Sequence, residues 1–174
     1  MFIPKKSLGQ NFLSDKNIIK KITQISNLKN EKIIEVGPGT GNLTDEIIMS
    51  QPKELIIIEK DINLYKFLLN KYSNHKFINI LNEDILNYKF NNIKKYKIIS
   101  NLPYNISSKF LMKTIVLNKN INQIICMIQS ELADKFDISH GKMNKYKFAS
   151  KYSSNFKIKF NVSPNVFYPK PKVN

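Results

Sequence analysis

Short runs of aliphatic residues alternate along the chain with longer stretches in which apolar residues recur every three or four positions. Continuous apolar runs of this length are typical of strands that are buried on both faces. Five such runs predict strands: EKIIEVG (31–37), ELIIIEK (54–60), KFINILN (76–82), YKIIS (96–100) and QIICMIQ (123–129). The predicted helices cover residues 14–28, 42–50, 62–72 and 107–117. Strand–helix alternation predicts an α/β domain whose mostly parallel sheet carries helices on both faces.

Both ends of this repeating pattern are less regular. Ser14 or Asp15 can cap the leading helix. After residue 129, the stretch SELADKFDI predicts a helix and FKIKFNV (156–162) predicts a further strand. Residues 163–174 are rich in proline and predict a loop. The pattern therefore predicts one domain over residues 1–174.

Composition sets the broad class of the protein. A chain of 174 residues with 42% hydrophobic residues can bury a core of its own. No apolar run approaches the length of a membrane span, and the first residues lack the apolar region of a secretory signal. The single cysteine, Cys126, cannot form an internal disulfide. We expect a monomer in a reducing cytoplasm, with no metal site and no membrane partner.

The charge balance adds a functional clue. The chain has 28 lysines, no arginine and 13 acidic residues, which gives a net charge of +15. An AT-rich genome explains why lysine replaces arginine, but it does not explain why lysine so outnumbers aspartate and glutamate. The excess favours a polyanionic partner such as nucleic acid.

A glycine-rich turn follows the first predicted strand. Gly37, Gly39 and Gly41 stand in the sequence EVGPGTG and precede a helix. Glycine lets the backbone turn tightly and approach a ligand closely. The G-x-G-x-G spacing differs from the dinucleotide and phosphate-binding motifs, so a nucleoside without a pyrophosphate is the better guess. On its own, the triplet could equally be a tight strand-to-helix turn.

Acidic residues follow the next two strands. Glu59 can accept hydrogen bonds from ribose hydroxyls, and Asp84 can accept one from an adenine amine. Taken singly, Glu59 could be a solvated strand end and Asp84 a helix cap. Because carboxyl ends of parallel strands share one edge, the two acids and the glycine turn together predict a site for S-adenosylmethionine.

The fourth predicted strand ends in NLPY (101–104). The amide oxygen of Asn101 and a backbone carbonyl beside Pro103 can each accept one N–H of an adenine amine and aim its lone pair at a methyl donor. Tyr104 offers an aromatic face for the base. The plainer interpretation is a strand-end turn with a core tyrosine.

Together these motifs resemble the ribosomal RNA adenine dimethyltransferases, which dimethylate two adjacent adenines near the 3′ end of small-subunit rRNA. The resemblance is carried across nearly the whole chain by KKSLGQNFL (5–13), EVGPGTGNLT (35–44), IIEKD (57–61), NEDIL (82–86), SNLPYNISS (100–108), IQSELADK (128–135) and FYPKPKV (167–173). It implies a Rossmann-like S-adenosylmethionine-dependent methyltransferase fold, and immature small ribosomal subunits as the partner.

The resemblance also implies roles for individual residues. Residues 1–13 would cover the cofactor through Gln10, Asn11 and Leu13, and residues 163–174 would form a substrate loop. Gly37, Glu59 and Asp84 would contact the methionine, ribose and adenine parts of the cofactor, with Asn101 beside them. The target base would be held by Asn101, Leu102, Pro103 and Tyr104, with Phe167 as a second stacking face.

Two departures from the family pattern and two rival functions qualify this interpretation. Lys147 stands where the family usually has glycine, and the sequence stops at PKPKVN, so we expect a fragment that lacks a final strand and a helical RNA-docking domain. The rivals are the large-subunit rRNA adenine methylases that confer antibiotic resistance and a non-catalytic RNA-binding assembly factor. DNA adenine methylation is disfavoured because NLPY lacks the acidic first residue and second proline usual there.

Overall fold

The apolar runs of the sequence form a parallel sheet, as a computed structural model shows. The structure describes residues 4–5, 8–90, 95–117, 120–139 and 141–171. Its strands are β1 (Phe12–Leu13), β2 (Lys32–Val36), β3 (Glu54–Ile58), β4 (Ile78–Leu81), β5 (Tyr96–Asn101), β6 (Ile121–Met127) and β7 (Phe167–Tyr168). Its α-helices are α1 (Lys16–Thr23), α2 (Asn42–Met49), α3 (Ile62–Lys71), α4 (Tyr104–Leu117), α5 (Ser130–Phe136) and α6 (Lys145–Ser153). No helix among these residues is long and apolar enough to cross a membrane.

The main sheet has five strands in the order β4-β3-β2-β5-β6, and every neighbouring pair is parallel. The chain moves outward from β2 through β3 to β4, and then returns to place β5 on the other side of β2. Ligands bind at such a reversal, at the carboxyl ends of the strands. The topology therefore makes the ends of β2 and β5 neighbours. The Ser100 hydroxyl donates to the Val36 carbonyl over 2.6 Å, although the two residues are 64 positions apart in the sequence.

Helices cover both faces of the sheet. Ile33 and Ile34 are adjacent and fully buried, but they belong to two different core clusters because successive strand residues point to opposite faces. One cluster contains Phe110 from α4 and Phe136 from α5, and the other contains residues of α1, α2 and α3, including Ile47. The prediction of a mostly parallel α/β sheet with helices on both faces is thus confirmed.

The predicted strand over residues 156–162 is wrong. This segment belongs to no strand. Phe156 packs against one core cluster and Phe160 against the other, so the alternating pattern reflects partial burial. Residues of this segment and of the edge strand β6 line a groove of about 680 Å³, and no strand among the described residues pairs with the segment.

Two other regions differ from the predictions. The helix predicted from residue 107 already begins at Tyr104, and α6 was not predicted. Within the predicted proline-rich loop, Phe167 and Tyr168 pair in antiparallel fashion with Leu13 and Phe12. We call this pairing the β1–β7 ribbon. It joins the segment before α1 to the far end of the described chain; residues 172–174 of the predicted loop lie outside the described residues.

Candidate functional site

The glycine turn after β2 lines one wall of a pocket at the carboxyl edge of the sheet. Gly37 and Gly39 line it, and both have left-handed backbone angles, with φ of 61° and 62°. A Cβ on Gly39 would lie 2.7 Å from the ring of Phe12, so only glycine lets β1 approach the turn this closely. Gly41 does not line the pocket: it caps α2, and its carbonyl accepts a hydrogen bond from Tyr72 Oη over 3.0 Å.

Glu59 follows β3 and lines the same pocket, although it is only 5% exposed. Its Oε1 accepts a hydrogen bond from the Asp61 backbone N–H over 2.8 Å. Burial raises the pKa of Glu59 to about 7, even though that hydrogen bond stabilises the charge. A buried carboxylate in this setting gains from donors that a ligand brings, such as a pair of hydroxyl groups.

Asp84 also lines the pocket, but its side chain already has partners. Its two oxygens accept from the ammonium of Lys60 and from the backbone N–H of Leu86, each over 2.9 Å. Burial acts to raise the pKa of Asp84, but Lys60 and Leu86 outweigh burial and the pKa lies below its ordinary value. Asp84 thus caps a turn at residues 85–87 and not the short helix considered from the sequence, and its carboxylate remains at the pocket wall.

NLPY connects β5 to α4 beside the glycine turn, and a Cβ on Gly37 would lie 3.7 Å from the Pro103 ring. The Nδ2 of Asn101 donates to the Asn11 carbonyl over 2.8 Å, and its Oδ1 accepts no hydrogen bond from the described residues. The carbonyl of Pro103 is occupied, because it accepts from Ile106 N and Ser107 N at 3.1 Å each. Within the described part of the chain, the carbonyl of Leu102 receives only a 3.5 Å contact from a serine hydroxyl. The tetrapeptide thus leaves Asn101 Oδ1 and the Leu102 carbonyl as the acceptors with spare capacity.

Tyr104 is the first residue of α4 and lines the pocket together with the rest of the tetrapeptide. Burial raises the pKa of its hydroxyl. Phe167 lies elsewhere: it pairs with Leu13 in the β1–β7 ribbon and lines the adjoining groove beside β6, which Asn101 and Tyr104 share. Phe167 is therefore near the pocket mouth but is not one of the pocket's lining residues.

The segment before β1 closes the pocket, and side-chain contacts hold it there. Gln10 Nε2 donates to Asp61 Oδ2 over 3.3 Å, and the ammonium of Lys5 lies 2.7 Å from the same oxygen. The Leu13 carbonyl accepts from Asn42 Nδ2 over 2.7 Å. Gln10, Asn11 and Leu13 all line the pocket. The structure thus brings the predicted covering residues to the predicted binding residues.

Sequence reasoning missed two acids at this site. Asp61 caps α3 and anchors Lys5 and Gln10. Burial acts to raise the pKa of Asp61, but the hydrogen bond from Lys5 and further N–H donors outweigh burial and lower it. Glu35 is 1% exposed, and both of its oxygens lack hydrogen-bond partners among the described residues. A charged residue inside a strand that is buried on both faces was the signal that could have revealed Glu35.

Burial raises the pKa of Glu35 to about 8, so this side chain is largely protonated at neutral pH. The neighbouring Thr44 hydroxyl acts to lower this pKa, but it makes no hydrogen bond to Glu35 among the described residues, and burial dominates. Glu35 lies on β2, Glu59 directly follows the neighbouring strand β3, and both line the pocket. The site therefore combines a partly open pocket, two carboxyl groups with raised pKa values, and two further acceptors with spare capacity, an arrangement suited to a small ligand with several N–H and O–H donors.

Comparison with known proteins places the chain in context. A family model described as Ribosomal RNA adenine dimethylase matches residues 1–174. Two curated proteins named Ribosomal RNA small subunit methyltransferase A, from Mesomycoplasma hyopneumoniae and Malacoplasma penetrans, are 42% and 41% identical over 99% of this chain. The chain spans 66% and 64% of their lengths. A protein of the same name from Pelagibacter ubique is 36% identical, and the chain spans 69% of it.

Two solved structures share the fold. The crystal structure titled 23S rRNA methyltransferase ErmE has a TM-score of 0.79 and 26% identity, covering 94% of this chain and 66% of that one. A dimethyladenosine transferase from Plasmodium falciparum has a TM-score of 0.77 and 24% identity, covering 93% of this chain and 60% of that one. Nearly the whole of this chain therefore superimposes on part of each of these larger proteins.

Proposed function

This chain belongs to the ribosomal RNA adenine dimethylase family, and from that premise we propose that it transfers methyl groups from S-adenosylmethionine to the N6 amine of adenines in ribosomal RNA. The observation that carries the proposal is the position of Asn101. Asn101 ends β5, the neighbour of β2, and lines the same pocket as Gly37 and Gly39. Its NH₂ group donates to the Asn11 carbonyl, and its oxygen accepts no hydrogen bond from the described residues.

The proposed substrate is two adjacent adenines near the 3′ end of small-subunit rRNA, modified during subunit maturation. Relatives at 36–42% identity are named for the small subunit, whereas the structure titled for 23S rRNA is 26% identical. The large-subunit alternative keeps some support from the high TM-score of that structure. Mapping the methylated nucleotide in each rRNA decides between the two substrates.

The pocket fits the proposed cofactor. Buried Glu59 can accept from the ribose hydroxyls, Asp84 from the adenine amine, and Gly37 and Gly39 allow close approach of the aminoacyl part. When bound, S-adenosylmethionine supplies an electrophilic methyl group on a sulfonium. Segment 10–13 closes the pocket over it and excludes water. Burial raises the pKa of Glu59 although backbone N–H groups already stabilise its charge, so additional donors from a ribose would favour the carboxylate further.

In methyl transfer, the residues of this chain position the adenine amine relative to the methyl donor. The adenine amine is a weak nucleophile because its lone pair is delocalised into the ring. Asn101 Oδ1 and the Leu102 carbonyl can each accept one N–H, which localises the lone pair and orients it. Tyr104 provides a stacking face, and Phe167, across the adjoining groove, is the proposed second face. The target base must leave its stack to reach this position, which single-stranded RNA allows most readily.

The substitution Asn101→Ala tests this proposal. We expect methyl transfer to be lost while the affinity for S-adenosylmethionine, measured by calorimetry, changes by no more than a few-fold. The transfer assay uses immature small subunits and cofactor with a labelled methyl group. Asn70→Ala, on the exposed side of α3, is the matched control and should retain activity. Loss of cofactor affinity together with activity would count against the role of Asn101 in holding the base.

Calorimetry of the unsubstituted chain separates the non-catalytic alternative. A chain that binds RNA but not S-adenosylmethionine would be an assembly factor that keeps only the fold. A chain that binds the cofactor and yields no methylated adenine in either rRNA would refute the proposed reaction.

A further inference from the structure

The last fifth of the chain is unusually basic. Residues 138–174 contain eight lysines and no aspartate or glutamate, a net charge of +8. Residues 1–137 contain twenty lysines and all thirteen acids, a net charge of +7. More than half of the net charge therefore lies in 37 residues, and α6 lies within them. Genome composition would affect the whole chain, so it does not account for a segment without acids.

The outward face of α6 exposes two aromatic rings. Phe148 is 58% exposed and Tyr152 is 66% exposed. They are one turn apart, and their ring centroids lie 4.6 Å apart with the planes tilted by 43°. The inward face of the helix buries Lys147, Ala149 and Ser150 instead. Large aromatic side chains gain most from burial. Two adjacent exposed rings on a helix whose opposite face buries a lysine therefore indicate a binding surface.

Lysines surround these rings. The ammonium of Lys151 lies 5.5 Å from the centroid of the Tyr152 ring, and that of Lys145 lies 5.2 Å from the centroid of Tyr146. Both lysines are exposed. Aromatic faces that alternate with ammonium groups match single-stranded nucleic acid, whose bases stack and whose phosphates attract cations. The close alternation of rings and ammonium groups matches the alternation of bases and phosphates along a single strand better than the surface of an acidic protein.

The helix begins at the edge of the candidate site. The hydroxyl of Tyr146 and that of Ser108 lie 3.0 Å apart. Ser108 is one helical turn from Tyr104 on α4, and Tyr104 lines the pocket. The first turn of α6 therefore contacts the same helix that carries Tyr104, beside the pocket.

We propose that the outward face of α6 binds the single-stranded RNA that flanks the target base, with Phe148 and Tyr152 stacking on bases and Lys145 and Lys151 contacting phosphates. This inference rests on the proposed function, because it takes ribosomal RNA as the substrate. It adds a second contact region, outside the pocket, that selects unpaired RNA next to the modified nucleotide.

Fluorescence anisotropy with a labelled adenine-containing oligoribonucleotide tests the inference. We expect the double variant Phe148→Ala/Tyr152→Ala to bind it at least about tenfold more weakly, as removal of stacking contacts does elsewhere. The matched control is Met49→Ala/Leu69→Ala, which removes exposed apolar side chains from α2 and α3 and should bind normally. Unchanged circular dichroism and unchanged affinity for S-adenosylmethionine establish that the double variant is folded.

The salt dependence of binding gives a second measurement. Lys151→Gln should reduce the slope of log affinity against log salt concentration by about 0.7, the value for one phosphate contact on a single strand. Equal affinity of the aromatic double variant and the unsubstituted chain would overturn the inference and leave the proposed function standing. An unsubstituted chain that binds no RNA would overturn both. Binding to phosphatidylserine vesicles that depends on Phe148 and Tyr152, without an effect on RNA, would show that the surface is a membrane contact instead.

Discussion

The pKa of Glu59 predicts how the affinity for the cofactor depends on pH. In the free protein, burial raises this pKa to about 7. Hydroxyl donors from a bound ribose stabilise the carboxylate, so binding favours the ionised form and lowers the pKa again. Affinity is then full above pH 7 and is lost as the pH falls through 7, since binding must first remove a proton. With a bound-state pKa near the ordinary 4.5, the affinity falls about 30-fold between pH 8.5 and pH 5.5.

The ligand for this measurement is 5′-methylthioadenosine, which has the ribose and adenine of the cofactor but no titrating amino acid. Calorimetry at both pH values gives the affinity, and buffers of different ionisation enthalpy report the proton released. Glu59→Gln should bind more weakly and lose the pH dependence. Glu35→Gln removes the other carboxyl group in the pocket whose pKa is raised, and should keep the Glu59-dependent fall below pH 7. Equal affinities at pH 8.5 and 5.5, or the original pH dependence in the Glu59→Gln variant, would refute the proposed contact.

Three further predictions concern the supports of the site. Glu35 has a pKa of about 8 in the folded chain and an ordinary value of 4.5, so the free energy of unfolding falls as the pH rises through 8. In urea denaturation, Glu35→Gln should therefore be about 4–5 kcal/mol more stable than the unsubstituted chain at pH 9 and nearly equal to it at pH 4.5. Gly39→Ala, with φ of 62° and the Phe12 ring 2.7 Å from the new Cβ, should lower thermal stability by about 1–3 kcal/mol. Gly141→Ala, with φ of 68° and more space, is its control and should cost less. Tyr72→Phe removes a hydroxyl that donates to the Gly41 carbonyl and to an α2 carboxylate, and hydrogen exchange should detect a loss of about 1–3 kcal/mol in α2.

Much of the fold was predictable because its strands are buried on both faces. Runs such as ELIII and KIIEV have few interpretations other than central strands of a parallel sheet. Once the sheet is parallel, residues that follow its strands share one edge. This is why the sequence alone groups Glu59, Asp84 and Asn101. The structure does bring them to one pocket.

Other features depend on contacts that local patterns do not encode. The β1–β7 ribbon has two residues in each strand, which is too short for any periodicity. The α6 helix buries small and polar residues, so it lacks the apolar stripe that identifies helices. FKIKFNV alternates apolar and polar residues as a strand does. Whether such a segment pairs with another strand depends on its position relative to β6, which is distant in the sequence.

The β1–β7 ribbon has a consequence for the order in which the molecule assembles. Pairing Phe12 with Tyr168 closes a loop of about 155 residues, and for a flexible chain this closure costs about 4–5 kcal/mol of entropy. The pairing of four residues offsets little of this entropy cost unless the folded parallel sheet has already brought β1 and β7 close together. The segment that covers the pocket should thus be the last part of the chain to settle during folding and the first to detach. Its detachment would also break the hydrogen bond from the Asn101 amide to the Asn11 carbonyl. Opening of the pocket for ligand entry and release of the Asn101 side chain would then occur together.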